Sequence, residues 1–355
     1  MLSYLDFKKK FNIQLKKYID SELLLIEKSI KDPFVQKDVL SYAKKFSRGG
    51  KRLRPYVTYL AFHMCKGKSI AGVFDVCVSL ELLHMSCLIH DDIMDNAKTR
   101  HNMLTAYFYV KNNIIKRKDS VGDIEHTALS QSILLGDLFY AFSLKKLLHV
   151  RKISQRKTDR IGDVYANMVA QTIAGQMMDI NHTSRKRVKD ELITIKNILK
   201  TANYSFSKPI LIGGILAGKK KQIAPFAHAF GRHVGLAFQA QDDLLDISDS
   251  SKIAGKDTLK DVAQGEHTIF TQYIFKNGTT TQKKKLASLM GSGHVSLRNK
   301  KELKNIYQES GAFEFGKSYI STSIKRARIL LNTLPRKTFS IEVMEPLLEE
   351  LEKRI

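Results

Sequence analysis

The chain has 355 residues, 43% hydrophobic and 26% charged, the balance of a soluble globular protein able to bury a substantial core. Lys and Arg outnumber Asp and Glu by 59 to 35, a net charge of +24. The basic runs (111–118, 151–160, 184–189, 219–222 and 283–285) are scattered and carry no interleaved aromatics to stack on bases, which argues against a nucleic-acid partner and for a surface that draws anionic substrates or leans weakly on an anionic membrane.

Leu, Ile, Lys and Ala recur at helical spacing almost throughout, and no run of alternating strands stands out, so the pattern predicts an all-α chain. In chain order it predicts a helix over 4–30 ending before Pro33, another over 34–47, and a GGKRLRP turn at 49–55 leading into a helix that ends near Lys66. A helix over 70–96 ends in DDIMD, and helices over 124–148 and 156–180 follow it. The next, 190–217, is expected to kink at Pro209. A helix over 224–247 carries DDLLD, and beyond a loop with Gly255 and Gly265 further helices fill the C-terminal third. No linker divides the chain, so one domain over 1–355 is expected, with N-terminal helices in 1–47 and the motifs in 49–268. Cys65, Cys77 and Cys87 form no CxxC pair, and the N-terminus lacks the apolar core of a secretory signal. Apolar stretches such as PILIGGILAG fall short of the roughly 20 residues of a membrane span. Reduced thiols and a cytoplasmic location are expected.

The two acidic clusters share one form, two aspartates, two apolar residues and a third aspartate: Asp91, Asp92 and Asp95, then Asp242, Asp243 and Asp246. Residues four apart share a helix face, so Asp91 and Asp95 project together, as do Asp242 and Asp246. Carboxylates so placed repel one another unless a cation sits between them, and hard oxygen ligands that leave room for water and phosphate suit Mg²⁺. Two such clusters facing each other across a cavity would hold Mg²⁺ ions and, through them, a diphosphate. In the GGKRLRP turn, Lys51, Arg52 and Arg54 are cations able to clamp a second diphosphate without metal.

GGKRLRP, HMSCLIHDDIMD with an Arg a few residues on, GQMMD, KTANYSF, FQAQDDLLD and a following GK, in this order over 49–268, resemble the trans-isoprenyl diphosphate synthases, or polyprenyl synthetases. The resemblance implies an all-α, single-domain bundle of roughly ten or more helices around a deep central cavity, usually in a homodimer. It implies a prenyltransferase that joins an allylic diphosphate to isopentenyl diphosphate (IPP), with up to about three Mg²⁺ ions per site. Carried over by motif, Asp91, Asp92, Asp95, Asp242, Asp243 and Asp246 match the metal ligands. Lys51, Arg54 and His84 match the groups on the IPP diphosphate, and Arg100 and Lys256 match cations on the allylic diphosphate. Lys200, Thr201 and Gln239 match residues beside the reacting carbons, with Gln176 and Asp179 in an inner shell near metal and lysine.

The chain departs from the family where RRG becomes Arg100, His101, Asn102, leaving His101 to hold IPP and removing a glycine. It departs again where GKxT becomes Gly265, Glu266, His267, Thr268, which puts an acid where a cation is common. Five residues before Asp91 stands Ser86, followed by Cys87, both small. A cavity not closed there reaches deeper, to Leu83 or to Phe139, Tyr140 and Phe142, and products of C20 or longer are expected. Two other readings stay open at this point: a regulatory partner subunit of a heteromeric synthase, and a class I terpene cyclase, which lacks the basic turn.

Overall fold

A computed structural model describes residues 1–100, 102–117, 120–248 and 258–353. They form an all-α protein with one two-stranded antiparallel hairpin, in two compact units: Met1–Tyr59 with Ser69–Thr158, and Leu60–Lys68 with Asp159–Ile355.

In the first unit, α1 (Tyr4–Ser29) starts where the Ser3 hydroxyl accepts from the Asp6 N–H, and it buries Phe7, Phe11, Leu15, Ile19 and Leu23 along one stripe. The next helix winds as a π-helix over Val35–Leu40 before α2 (Ser41–Phe46). The basic turn runs into α3 (Leu53–Met64), whose residues from Leu60 on belong to the second unit, and α4 (Val73–Met94) carries the first acidic cluster at its end. A short hairpin, β1 (Thr99–Arg100) and β2 (Met103–Leu104), precedes α5 (Ala106–Ile115) and α6 (Ile124–Leu148). Asn102, at the position of the family's glycine, takes φ +62 at the tip of this hairpin. Asn is among the non-glycine residues that enter the left-handed region most readily, so the turn survives the loss of glycine.

α4 is long and apolar enough to cross a bilayer, against the expectation that no stretch reaches that length, but 67% of its apolar window is buried within the protein. It packs along α6, and that burial explains its composition. Ser79 and Ser143 tie the pair, each hydroxyl donating to the other's carbonyl oxygen at 2.9 and 2.6 Å.

The second unit holds most of α7 (Gln155–Thr183), then α8 (Asp190–Asn197), a π-helical run Ile198–Ser207, α9 (Lys208–Leu216) and α10 (Lys220–Ile247). Helices α11 (Lys260–Gln264), α12 (Ile269–Asn277), α13 (Thr280–Leu289), α14 (Leu297–Glu309), α15 (Ala312–Asn332) and α16 (Glu345–Glu352) complete it. At the place where a kink is expected, a π-helical run ends just before Pro209. Its wider winding delivers Pro209 to the first turn of α9, where an absent N–H costs least. The run is gripped closely from both sides. A Cβ on Gly175 of α7 would lie 2.5 Å from the Lys200 nitrogen, and one on Gly235 of α10 would lie 2.3 Å from the Ala202 Cα. Glycine is required at both positions by that proximity.

Candidate active site

In the first unit the basic turn separates its three cations. Arg52 takes φ +56 and turns into the core, where Nη1 donates to Glu81 Oε1 at 2.7 Å, Nε to Asn12 Oδ1 at 2.9 Å and Nη2 to the Ser47 carbonyl at 2.6 Å. The Arg52 and Glu81 side chains are 2% and 3% exposed. Arg52 therefore fastens the turn and is removed from the cations able to clamp phosphate. Lys51 remains exposed, and Arg54 and His84 are half-buried. The Tyr4 hydroxyl donates to the Lys51 carbonyl at 2.5 Å, which pins the turn to the start of α1.

The first acidic cluster is divided as well. Asp91 is half-buried, whereas the Asp92 side chain is 3% exposed and turned toward Arg100. Arg100 Nε lies 2.8 and 3.0 Å from the two Asp92 oxygens, and its Nη2 lies 2.8 Å from Asp92 Oδ1 and 3.6 Å from Asp91 Oδ2. Burial works against the Arg100 charge, but Asp92, Asp91 and Asp95 more than reverse that and hold it firmly cationic. Asp95 closes α4, its N–H donating to the Asp91 carbonyl at 2.9 Å. Below the cluster Ser86 and Met85 are buried, as are Leu83, Phe139 and Phe142, while Tyr140 is half-buried; Phe139 sits 6.2 Å from the Phe46 ring centre. His101 and Lys256 lie outside the described residues.

In the second unit α7 brings the buried Asp179 between two lysines. Its Oδ1 accepts from Lys196 at 2.7 Å and its Oδ2 from Lys200 at 2.5 Å. Burial alone would raise the Asp179 carboxyl, but the ammoniums of Lys200 and Lys196 hold it below the usual carboxylate range. Gln176, half-buried, precedes it on the same helix by three residues. On the π-helical run the Thr201 hydroxyl donates to Gln239 Oε1 at 2.6 Å, and Gln239 Nε2 donates to Asp243 Oδ1 at 2.8 Å. The second acidic cluster thus splits like the first. Asp242 is exposed, Asp243 is buried in that chain of hydrogen bonds, and Asp246 accepts from the N–H groups of Lys260 and Asp261 at 3.1 and 3.2 Å to cap α11. The Asp243 carboxyl is pushed up to about 7, by burial first and then by the charges of Asp242 and Asp179, against the pull of Gln239 and Lys196.

The strap after α11 contains no phosphate-binding cation. His267 is buried, its Nε2 donating to the Arg185 carbonyl at 2.8 Å and its Nδ1 accepting from Gln272 Nε2 at 3.0 Å. Burial depresses its pKa and Lys196 adds to the effect, so the ring is neutral. Thr268 forms a reciprocal capping box with Thr271 at the start of α12.

Three residues here carry no motif signal. Lys196 sits one turn before Lys200, and sequence alone reads it as a solvated helix lysine. Burial pushes the Asp261 carboxyl well above its ordinary value, reinforced by Glu266, Asp246 and Asp243. Burial likewise raises the phenol of Tyr307, with the carboxylates of Asp261, Asp246 and Asp243 contributing.

Among the described residues no three His, Cys, Asp or Glu side chains converge to hold a metal ion by themselves. The donors available at both clusters are carboxylate oxygens, with the first aspartate of each accessible. Such a set fits Mg²⁺, which takes one or two carboxylates and completes its shell with water and substrate phosphate.

Comparison with known proteins identifies the class as enzymes that transfer prenyl groups. The family model described as polyprenyl synthetase matches residues 37–309, and the chain belongs to that family, which depends in general on Mg²⁺. It is 26% identical over 300 residues to the geranylgeranyl diphosphate synthase of Methanosarcina mazei, covering 84% of this chain and 85% of that protein. It is 28% identical over 313 residues to the geranylfarnesyl diphosphate synthase of Aeropyrum pernix, covering 86% and 91%. The fold matches the crystal structure of a Corynebacterium glutamicum geranylgeranyl pyrophosphate synthase complexed with isoprenyl diphosphate and magnesium, with a TM-score of 0.90 and 26% identity over 99% of each chain.

Proposed function

We propose that this prenyltransferase extends an allylic diphosphate by successive 1′-4 additions of IPP to an all-trans product of C20 or longer. The observation that carries this reading is that each residue matched to the reacting carbons is bonded to an acid of the second unit, Lys200 to Asp179, and Thr201 through Gln239 to Asp243 of the second acidic cluster.

The allylic C–O bond breaks with its electron pair leaving on the diphosphate, and the IPP double bond attacks the allylic cation. A proton is then lost to the departing diphosphate. Bound Mg²⁺ would supply charge that stabilises the leaving group, up to about three ions that the accessible Asp91 and Asp242 would hold, with Asp92, Asp95, Asp243 and Asp246 behind them and Asp179 nearby. Lys51, Arg54, His84 and His101 hold the IPP diphosphate, Arg100 and Lys256 bind the allylic diphosphate, and Gln176 stands in the inner shell near metal and lysine. The Thr201 and Gln239 oxygens present dipoles to the cation, and fixing the two reactants supplies much of the acceleration. The small Ser86 leaves room for a growing chain as far as Leu83, Phe139 and Phe142. A homodimer and a cytoplasmic location belong to the same reading, and so does weak leaning of the basic surface on anionic membranes.

The test is incubation with Mg²⁺, labelled IPP and C5, C10 or C15 allylic diphosphates. A ladder ending at C20 or beyond, abolished by EDTA and by Asp91→Ala, is expected. Absence of elongation by the folded protein with every primer would overturn the reading in favour of a partner subunit.

A further inference from the structure

We propose that Lys196, which lies in none of the motifs, is a positioning residue for chain extension: it fixes Asp179 for Lys200 and anchors the strap that carries Glu266. This rests on the chain-extension reading above.

Lys196 is buried, its side chain 5% exposed against 27% for Lys200 on the same carboxylate. Its Nζ reaches Asp179 Oδ1 at 2.7 Å and the His267 carbonyl at 3.3 Å, so one ammonium joins α7, α8 and the strap before α12. A buried ammonium persists only where oxygens replace its water. Here burial opposes the charge, and the carboxylates of Asp179, Glu266 and Asp243 more than restore it.

The strap places an acid, Glu266, next to His267. Glu266 is one of the carboxylates that favour the Lys196 charge, so removing the ammonium takes away a positive charge facing that acid beside a network that must serve an anionic diphosphate. Asp179 would also lose one of the two partners that hold its plane, and a carboxylate free to rotate no longer fixes the Lys200 ammonium. The charge on Lys196 and the acid on the strap therefore act on each other, the cation standing on α8 and the acid on the strap.

The experiment compares the wild type with Lys196→Met, Lys196→Arg and the double variant Lys196→Met with Glu266→Lys. Each is assayed for kcat and KM, for Mg²⁺-dependent binding of inorganic pyrophosphate by calorimetry, and for thermal unfolding. Lys196→Met removes charge while keeping an apolar stem of similar length, and its kcat should fall on the order of 10- to 100-fold, as for the loss of groups that orient a catalytic ligand. Pyrophosphate binding should weaken with it, while the KM for IPP stays unchanged because Lys196 is not among the groups assigned to IPP. Lys196→Arg should retain most activity, and the double variant should recover part of what Lys196→Met loses. Unchanged kcat and pyrophosphate affinity in a folded Lys196→Met protein would overturn the proposal. So would a loss that neither the arginine nor the relocated lysine restores. A wild type that makes no ladder refutes chain extension, and the pyrophosphate titration then still decides whether Lys196 supports the anion site.

Discussion

Thr201 and Gln239 are joined by a 2.6 Å hydrogen bond from hydroxyl to amide oxygen, and Gln239 passes its own N–H to Asp243. The relay fixes the amide so that its oxygen faces the threonine and its nitrogen faces the acid. Thr201→Val keeps the shape and removes the donor, leaving the Gln239 oxygen short of a partner. A stability loss of about 1 kcal/mol is expected by urea denaturation, since net hydrogen bonds contribute that much. A larger fractional loss should appear in kcat than in KM. An unchanged kcat would remove Thr201 from the chemistry.

Arg100 holds Asp92 by a fork that Lys cannot reproduce. Arg100→Lys should raise the KM for the allylic diphosphate by roughly tenfold, equivalent to about 1.4 kcal/mol. Equal KM values for the two proteins would show that only the charge matters at this position.

The basic turn makes a contrasting pair of expectations. Arg52→Met leaves Glu81 charged and buried, which should cost about 3–5 kcal/mol in denaturant melts, and Arg52→Met with Glu81→Leu should recover most of it. Lys51→Ala should leave the melt unchanged and raise the KM for IPP. A destabilised Lys51→Ala protein would instead make the exposed lysine part of the fold.

His267 adds a pH dependence whose sign follows from its depressed pKa. The unfolded chain takes up a proton near the ordinary value of 6.5 that the folded chain refuses, so stability from this group is full above 6.5. It is lost as pH falls through the depressed folded value. Denaturation midpoints should therefore decline on acidification below 6.5, and His267→Gln should flatten that decline. An identical acid limb in the variant would assign the effect to His63, His182 and His233, whose pKa values burial also lowers.

Ser86→Phe should shorten the product, because an aromatic in a buried place along α4 fills space below Asp91. Overpacking of about 1–3 kcal/mol is the expected cost in stability. Chromatography of the product ladder decides the matter: an unchanged end point would put the cavity floor elsewhere.

Much of this was legible from the chain. The limits of α6 were predicted residue for residue, because its apolar period is bounded by polar turns at 120–123 and 149–154. The π-helical run was not legible, since a wider winding leaves the apolar period of ten residues almost unchanged, and the only local cue was Pro209. The acidic clusters announced themselves by repetition, yet their division into accessible and tied aspartates depends on Arg100, Gln239 and α11, which stand 8, 4 and 14 residues from the aspartates they hold. Lys196 was invisible for a different reason. A lysine among Ile, Thr and Asn reads as surface, and only the fold reveals that Asp179 and the His267 carbonyl enclose it.

The narrow gaps at Gly175 and Gly235 have a consequence for how such chains are judged. Adding one methyl group at Gly235 would press on the Ala202 backbone, next to Thr201, without altering any charged or polar residue. Such a chain would keep every signature letter and still misplace its lysine and threonine. Surveys that score homologues by their aspartates and basic turns would count it as competent, whereas a single hydrogen-to-carbon exchange had already silenced it.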